Sequence, residues 1–324
     1  MRLIRRLWGW VRGRCACMDA VVDVDEVRDA DGSIPFKDFS EMRDKCRALR
    51  EVLLPDSIWQ QFRDWHSRPD DEASHRSIVL LASRRGCLGS VTKPIHRYIV
   101  SSKGIRPGVR KQYVQDFRER WMLADDPVER NRLSKIFRGR LVELQFALWL
   151  EEQSQKVVGL EATRKGPDIE TVSPNDVQNS FEVKFIGVED GDFRIFLESI
   201  AGLPAATWVS PYTAMNYLVF RLYEAARQLR DAAGTKTIVV VIDDTAYFRF
   251  EMQLTGDWIN WKNPAFVSPD SEWTQFLDEQ RKRYPDLPND LASTIQGVDS
   301  IKIFRQSSRF EFILEYDVSV RPQS

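Results

Sequence analysis

Residues 156–187 leave this chain less freedom than any other stretch. KVVGLEA (156–162) reads as a strand, Gly166-Pro167 breaks the chain, and a second strand opens at Asp168-Ile169-Glu170. Asn175 and Asp176 mark a turn, after which Phe181-Glu182-Val183-Lys184-Phe185 alternates with the two-residue period of a strand. Phe181, Val183 and Phe185 then share one face, Glu182 and Lys184 the other. If the strands at 168 and 182 pair as a hairpin, Asp168 and Glu182 converge on one point.

Two carboxylates converging there would suit a hard divalent cation. Magnesium prefers carboxylate and water oxygens and accepts a site with few protein ligands; manganese is the expected substitute. Lys184, one strand repeat from Glu182, would lie beside an attacking water. The helix upstream adds a third acid. From Asn131 to Gln153, Ile136, Phe146, Ala147 and Leu150 recur at helical spacing, with Gly139 and Glu143 on the same stripe. A carboxylate on a core-facing stripe is costly without a partner, and either a metal site or Arg138 or Arg140 would supply one.

Pro-Asp alone carries little information, because it recurs at Pro55-Asp56, Pro69-Asp70, Pro269-Asp270 and Pro285-Asp286. The lysine is more selective: of all lysines in the chain only Lys184 has an acid two positions before it. The competing reading is a solvated surface hairpin whose Glu182–Lys184 pair contributes little.

The run GRLVELQFALWLEEQSQKVVGLEATRKGPDIE, followed by FEVKFIG, resembles the core of the PD-(D/E)xK superfamily of restriction-endonuclease-like nucleases. That resemblance implies an α/β fold with an αβββαβ core, Asp168 and Glu182 as metal ligands, Lys184 beside the nucleophilic water, and Glu143 as the helical acid in or near the metal shell. The next segments follow the same order. Residues 213–233 form an amphipathic helix with Met215, Leu218, Leu222, Ala225 and Leu229 on one side, and TIVVVI (237–242) is a continuous apolar strand. On the polar stripe of that helix (Tyr217, Arg221, Glu224, Gln228), Arg221 or Gln228 would be the phosphate contact, or the stripe is an ordinary solvated face. Asp190 and Asp192 either extend the acidic cluster or belong to a loop.

A length of 324 residues exceeds one typical domain. The expected division is a basic arm and linker (1–33), a mainly helical basic region (34–126), the nuclease core (127–245) and an α+β extension (246–324). Charge is near balance overall, 47 Lys and Arg against 48 Asp and Glu, yet residues 76–140 hold sixteen of the former and five of the latter. Arg84, Arg85, Lys93, Arg97, Arg106, Arg110, Lys111 and Arg140, with Arg221 further on, are therefore the expected nucleic-acid contacts, and DNA the expected partner. The prevalence of arginine favours bidentate phosphate contacts.

Within 34–126, residues 39–65 have a helical pattern and SIVLLA (77–82) suits a buried helix or strand. Towards the C-terminus, FRFEMQLTGDWINW suggests strands, 272–283 a helix, and 301–304 with 310–316 a terminal hairpin. Trp258, Trp261 and Trp273 are core residues or base-stacking ones. Residues 1–17 contain no uninterrupted apolar run, which argues against a signal peptide or membrane span and leaves an interfacial helix, a dispensable extension or a basic arm. Cys15, Cys17, Cys46 and Cys87 lack zinc spacing, so a cytoplasmic setting is the default. The function expected is that of a magnesium-dependent endodeoxyribonuclease of restriction, antiviral-defence or mobile-element type, acting as a homodimer or with other subunits. The alternative is an inactive nuclease-fold DNA-binding or scaffold subunit.

Overall fold

The computed structural model describes residues 36–66, 77–84, 86–101, 105–120, 127–160, 166–187, 211–244 and 297–320, with Arg281, Lys282 and Ile295. The fold is mixed α/β. Five helices come first: α1 (Phe36–Lys45), α2 (Asp56–His66), α3 (Ile78–Arg84), α4 (Leu88–Ile95) and α5 (Pro107–Glu119). The long α6 (Pro127–Glu152) leads into β1 (Lys156–Leu160), β2 (Ile169–Val172) and β3 (Gln178–Ile186), then α7 (Pro211–Gln228), β4 (Thr235–Asp243), β5 (Ser300–Gln306) and β6 (Phe312–Ser319). The six strands form one sheet in sequence order. Pairing is antiparallel from β1 to β3, parallel from β3 through β4 to β5, and antiparallel again between β5 and β6.

The expected elements recur with small shifts at their ends. SIVLLA is helical, and the terminal hairpin is β5–β6. Residues 1–33, the 248–261 segment with Trp258 and Trp261, Trp273, Asp190 and Asp192 lie outside the described residues. Of the helix expected over 272–283, Arg281 and Lys282 are described and are helical.

One expectation needs correction. Helix α6 does not bury a single stripe; Phe137, Leu141, Val142, Leu144, Phe146, Ala147 and Leu150 are all fully buried and point in every direction round the axis. Ile136 and Gly139, assigned to the stripe, are only half-buried. The physical reason is that α6 lies between two layers, with α4 and α5 on one side and the sheet on the other. Phe146 packs edge-on against Phe181 and Phe304, both at 5.6 Å, and stacks with Trp149 at 5.4 Å. A single buried apolar cluster runs from Phe39 in α1 to Phe310 before β6.

The seam between the helices and the sheet also has a polar anchor. Pro94 lies inside α4 and has no N–H, so the Ser90 carbonyl four residues earlier loses its helical partner. Gln145 of α6 donates to that carbonyl at 2.8 Å and to Phe310 O at 3.2 Å, while accepting from Gln306 at 2.9 Å. Beyond Pro94 the helix widens, and Ser101 N–H bonds back five residues to His96 O.

Helix α7 covers the other face of β3 and β4. Val239 and Val241 belong to the large cluster, while the equally buried Ile238, Val240 and Ile242 alternate with them and face the opposite way. That double burial accounts for the continuous apolar run. Gly234, at φ +71°, turns the chain into β4, and a Cβ there would lie 2.0 Å from the Gln178 carbonyl oxygen at the start of β3. Gly234→Ala is therefore expected to lower unfolding free energy by roughly 2–4 kcal/mol, from a left-handed backbone plus a displaced strand end. Urea denaturation checks it; a wild-type midpoint would mean that this junction is not as close as described.

Candidate active site

The site is built on the β2–β3 register. Ile169 stands opposite Phe181, so the next step of the antiparallel ladder sets Asp168 opposite Glu182. Directly opposed residues project to the same face with Cβ atoms about 5 Å apart. Local sequence sharpens the placement: Gly166 sits at φ +120° and Pro167 offers no N–H, so the chain enters β2 from a sharp break. Asp168 is anchored there by its own side chain, its Oδ2 accepting the Val183 N–H at 2.8 Å.

Glu182 is fully buried. Its Oε1 accepts from Lys184 Nζ at 2.6 Å, and no hydrogen-bond donor reaches its buried Oε2. Burial pushes the pKa of both acids upward, and for Asp168 the neighbouring Glu182 charge adds to the rise while Lys184 opposes it. Lys184 also donates to Oε1 of Gln228, the last residue of α7. Its ammonium is thus held from two sides, on the face that α7 covers.

Glu143 is buried nearby, since its charge raises the pKa of Glu182 and is itself affected by Asp168. Both its oxygens are nonetheless engaged: Tyr113 donates at 2.6 Å, and Arg140 Nη1 at 2.9 and 3.0 Å. Asp116 in turn accepts from Arg140 Nε at 3.0 Å. Burial pushes the Glu143 carboxyl up to about 7 against the pull of Arg140. For Arg140, the lowering from burial is outweighed by Glu143, Tyr113 and Asp116 together, which raise it. The first shift favours a neutral acid and the second a charged pair. The Arg140 contacts to both oxygens decide for the carboxylate, because a neutral acid would withdraw counter-charge from a guanidinium held against it.

Among the described residues no group of three His, Cys, Asp or Glu side chains is arranged to hold a metal ion. The third acid, Glu143, has both oxygens engaged by Tyr113 and Arg140. A two-acid site still fits magnesium, which keeps several waters and binds through one or two carboxylates, and the donor-free Glu182 Oε2 is the oxygen open to a cation.

Of the residues expected to contact nucleic acid, Lys93, Arg97, Arg106, Arg110 and Lys111 are exposed on α4, on the turn after it and at the start of α5. Arg97 pairs with Glu151 at 2.9 Å. Arg140 and Arg221 are turned inward, onto Asp116 and Glu143 and onto Glu224 respectively. Arg85 and the Arg84 side chain lie outside the described residues. Neither Tyr113 nor Asp116 is among the site residues expected from the sequence. The available signal was spacing, since Val109, Tyr113, Asp116 and Phe117 form one buried side of α5.

A scan against protein-family models, a search of curated proteins and a search of solved structures each return no match. No described helix is long and apolar enough to cross a membrane.

The opposed acids make a specific stability signature. Asp168→Asn keeps an acceptor for Val183 N–H, removes one buried charge and adds a donor towards Glu182. The metal-free variant is expected to be more stable than wild type by roughly 1–3 kcal/mol. Guanidinium denaturation in chelator at pH 8 tests this, and an unchanged or lower midpoint would mean that the two acids do not face each other.

Proposed function

We propose that the chain is a metal-dependent nuclease that hydrolyses DNA phosphodiester bonds, with α6, β1–β3, α7 and β4 as a restriction-endonuclease-like αβββαβ core and an endonuclease role in restriction, defence or mobile-element processing. The observation that carries this reading is the opposition of Asp168 and Glu182 across one register step, with Lys184 on the same face as Glu182. An acid pair buried without a donor on Glu182 Oε2 is costly in a protein that has no cation to place there. The helix and strand order agrees with the resemblance seen in the sequence.

Asp168 and Glu182 would hold magnesium, which when bound neutralises charge developing on the scissile phosphate and lowers the pKa of water. Lys184 contributes a fixed ammonium. Tethered by Glu182 Oε1 and Gln228 Oε1, it has a third donor free to orient the attacking water and stabilise the hydroxide that forms. The α7 helix excludes bulk water from that face, which strengthens each of these interactions. The exposed cations Arg106, Arg110 and Lys111, on the helix that also carries Tyr113, supply a surface for the phosphate backbone.

The absence of a three-acid cage among the described residues favours one second reading, an inactive nuclease-fold DNA-binding or scaffold subunit. DNA retardation without nicking in magnesium or manganese would select it.

Asp168→Ala and Lys184→Ala are each expected to lower magnesium-dependent nicking of supercoiled DNA by roughly 100-fold or more while leaving a cooperative unfolding transition. Wild-type rates in both purified variants would remove the hydrolase assignment. Replacing Arg110 and Lys111 together with Gln should weaken binding to all DNA sequences alike and flatten the dependence of log affinity on log salt by about 1.8, at roughly 0.9 per lost phosphate contact. An unchanged slope would exclude this end of α5 from the interface.

A further inference from the structure

Resting on the metal-site reading above, we propose that Tyr113 and Arg140 are positioning residues that hold Glu143 beside the cation site as a water-linked acceptor instead of a direct ligand. A carboxylate offers about four lone-pair positions, and three are taken here: one on Oε1 and one on Oε2 by Arg140 Nη1, and a second on Oε2 by the Tyr113 hydroxyl. One position on Oε1 remains, enough for a water and too little for a ligand that must also leave its guanidinium.

The clamp is built for rigidity. Tyr113 is fully buried and shares the core with Phe117, their rings 6.4 Å apart. The Arg140 guanidinium lies 5.3 Å above the Tyr113 ring and is fixed from behind by Asp116 Oδ2 at 3.0 Å, while Arg120 donates to the other oxygen of Asp116, Oδ1, at 2.8 Å. Moving Glu143 into direct coordination would strand a buried hydroxyl and leave the half-buried Arg140 with Asp116 as its remaining counter-charge. Its negative charge still reaches Asp168 and Glu182, so the acid contributes field and water orientation without changing place. The consequence is that a helix outside the αβββαβ segment, α5, sets the geometry of the acid site.

Loss of such an outer partner typically weakens a metal site by 10–100-fold. The test is manganese binding, followed through the electron paramagnetic resonance signal of free Mn(II), with no substrate present. Tyr113→Phe, which removes the hydroxyl and keeps the ring, and Glu143→Gln are each expected to weaken binding roughly tenfold. The Tyr113→Phe/Glu143→Gln double variant should bind no more weakly than Glu143→Gln alone, because the hydroxyl acts only through that acid. Arg140→Lys, which keeps the charge and loses the fork, is the second probe should Tyr113→Phe fail to fold, with the same loss and the same cancellation expected.

Binding by Tyr113→Phe equal to wild type overturns the inference, as does a loss that persists in the Glu143→Gln background, the mark of a packing effect. Tighter binding would also overturn it, since a released Glu143 would then be a ligand. These outcomes leave the two-acid reading standing so long as Asp168→Asn abolishes manganese binding. A wild-type chain that binds no manganese overturns both.

Discussion

Burial of Glu182 is the constraint around which the rest of the molecule is arranged. A carboxylate with no exposed surface in the middle of a helix-covered sheet is tolerated only if counter-charge and donors are close. Lys184 satisfies one oxygen, Gln228 steadies that lysine from α7, and the second oxygen is buried with no donor. Burial raises the pKa of both acids, so two uncompensated charges are disfavoured there. A desolvated acid pair of this kind is a source of strain that nearby counter-charge relieves.

The second determinant is how the layers are locked together. Residues far apart in sequence meet at Gln145, whose amide joins the helix broken by Pro94, the long α6 and the C-terminal hairpin. Arg138, about two turns earlier on α6, contacts Asp243 at the end of β4 and lies over the Phe185 ring at 4.7 Å. Arg140 reaches the other way, to Asp116 of α5. Successive polar residues of one helix therefore address the sheet, the hairpin and the N-terminal helices, and the all-round burial of α6 follows from having neighbours on every side.

Much of the core was legible in the chain because strands and punctuation obey short-range rules. The alternation in FEVKF, the Gly166-Pro167 break and the apolar TIVVVI run each report a local requirement, and the Asp168–Glu182 opposition follows once the hairpin is assumed. The width of the apolar stripe on α6 was not legible, because periodicity reveals one buried face and cannot show that a second layer covers the other. Nor was the clamp on Glu143. Arg140 was an open alternative partner, but Tyr113 and Asp116 sit thirty and twenty-seven residues earlier, beyond any local pattern. Counting charge in 76–140 correctly located a basic region yet could not separate outward cations such as Arg110 from Arg140, which is turned into the interior. Charge totals carry no direction.

That distinction matters for how a basic segment and an acidic site can work together. Were all the arginines solvent-facing, α5 and the start of α6 would attract a polyanion and do nothing else. Here the same helix divides its residues: Arg106, Arg110 and Lys111 face water, while Tyr113 and Asp116 face the acids and Arg140. Tyr113 lies three positions after Arg110, less than one helical turn. The hydroxyl that fixes Glu143 is therefore within about 5 Å of axial distance of the outward cations. Helix α5 packs against α6, so a single helix carries both the outward cations and the side chains that hold Glu143 and Arg140.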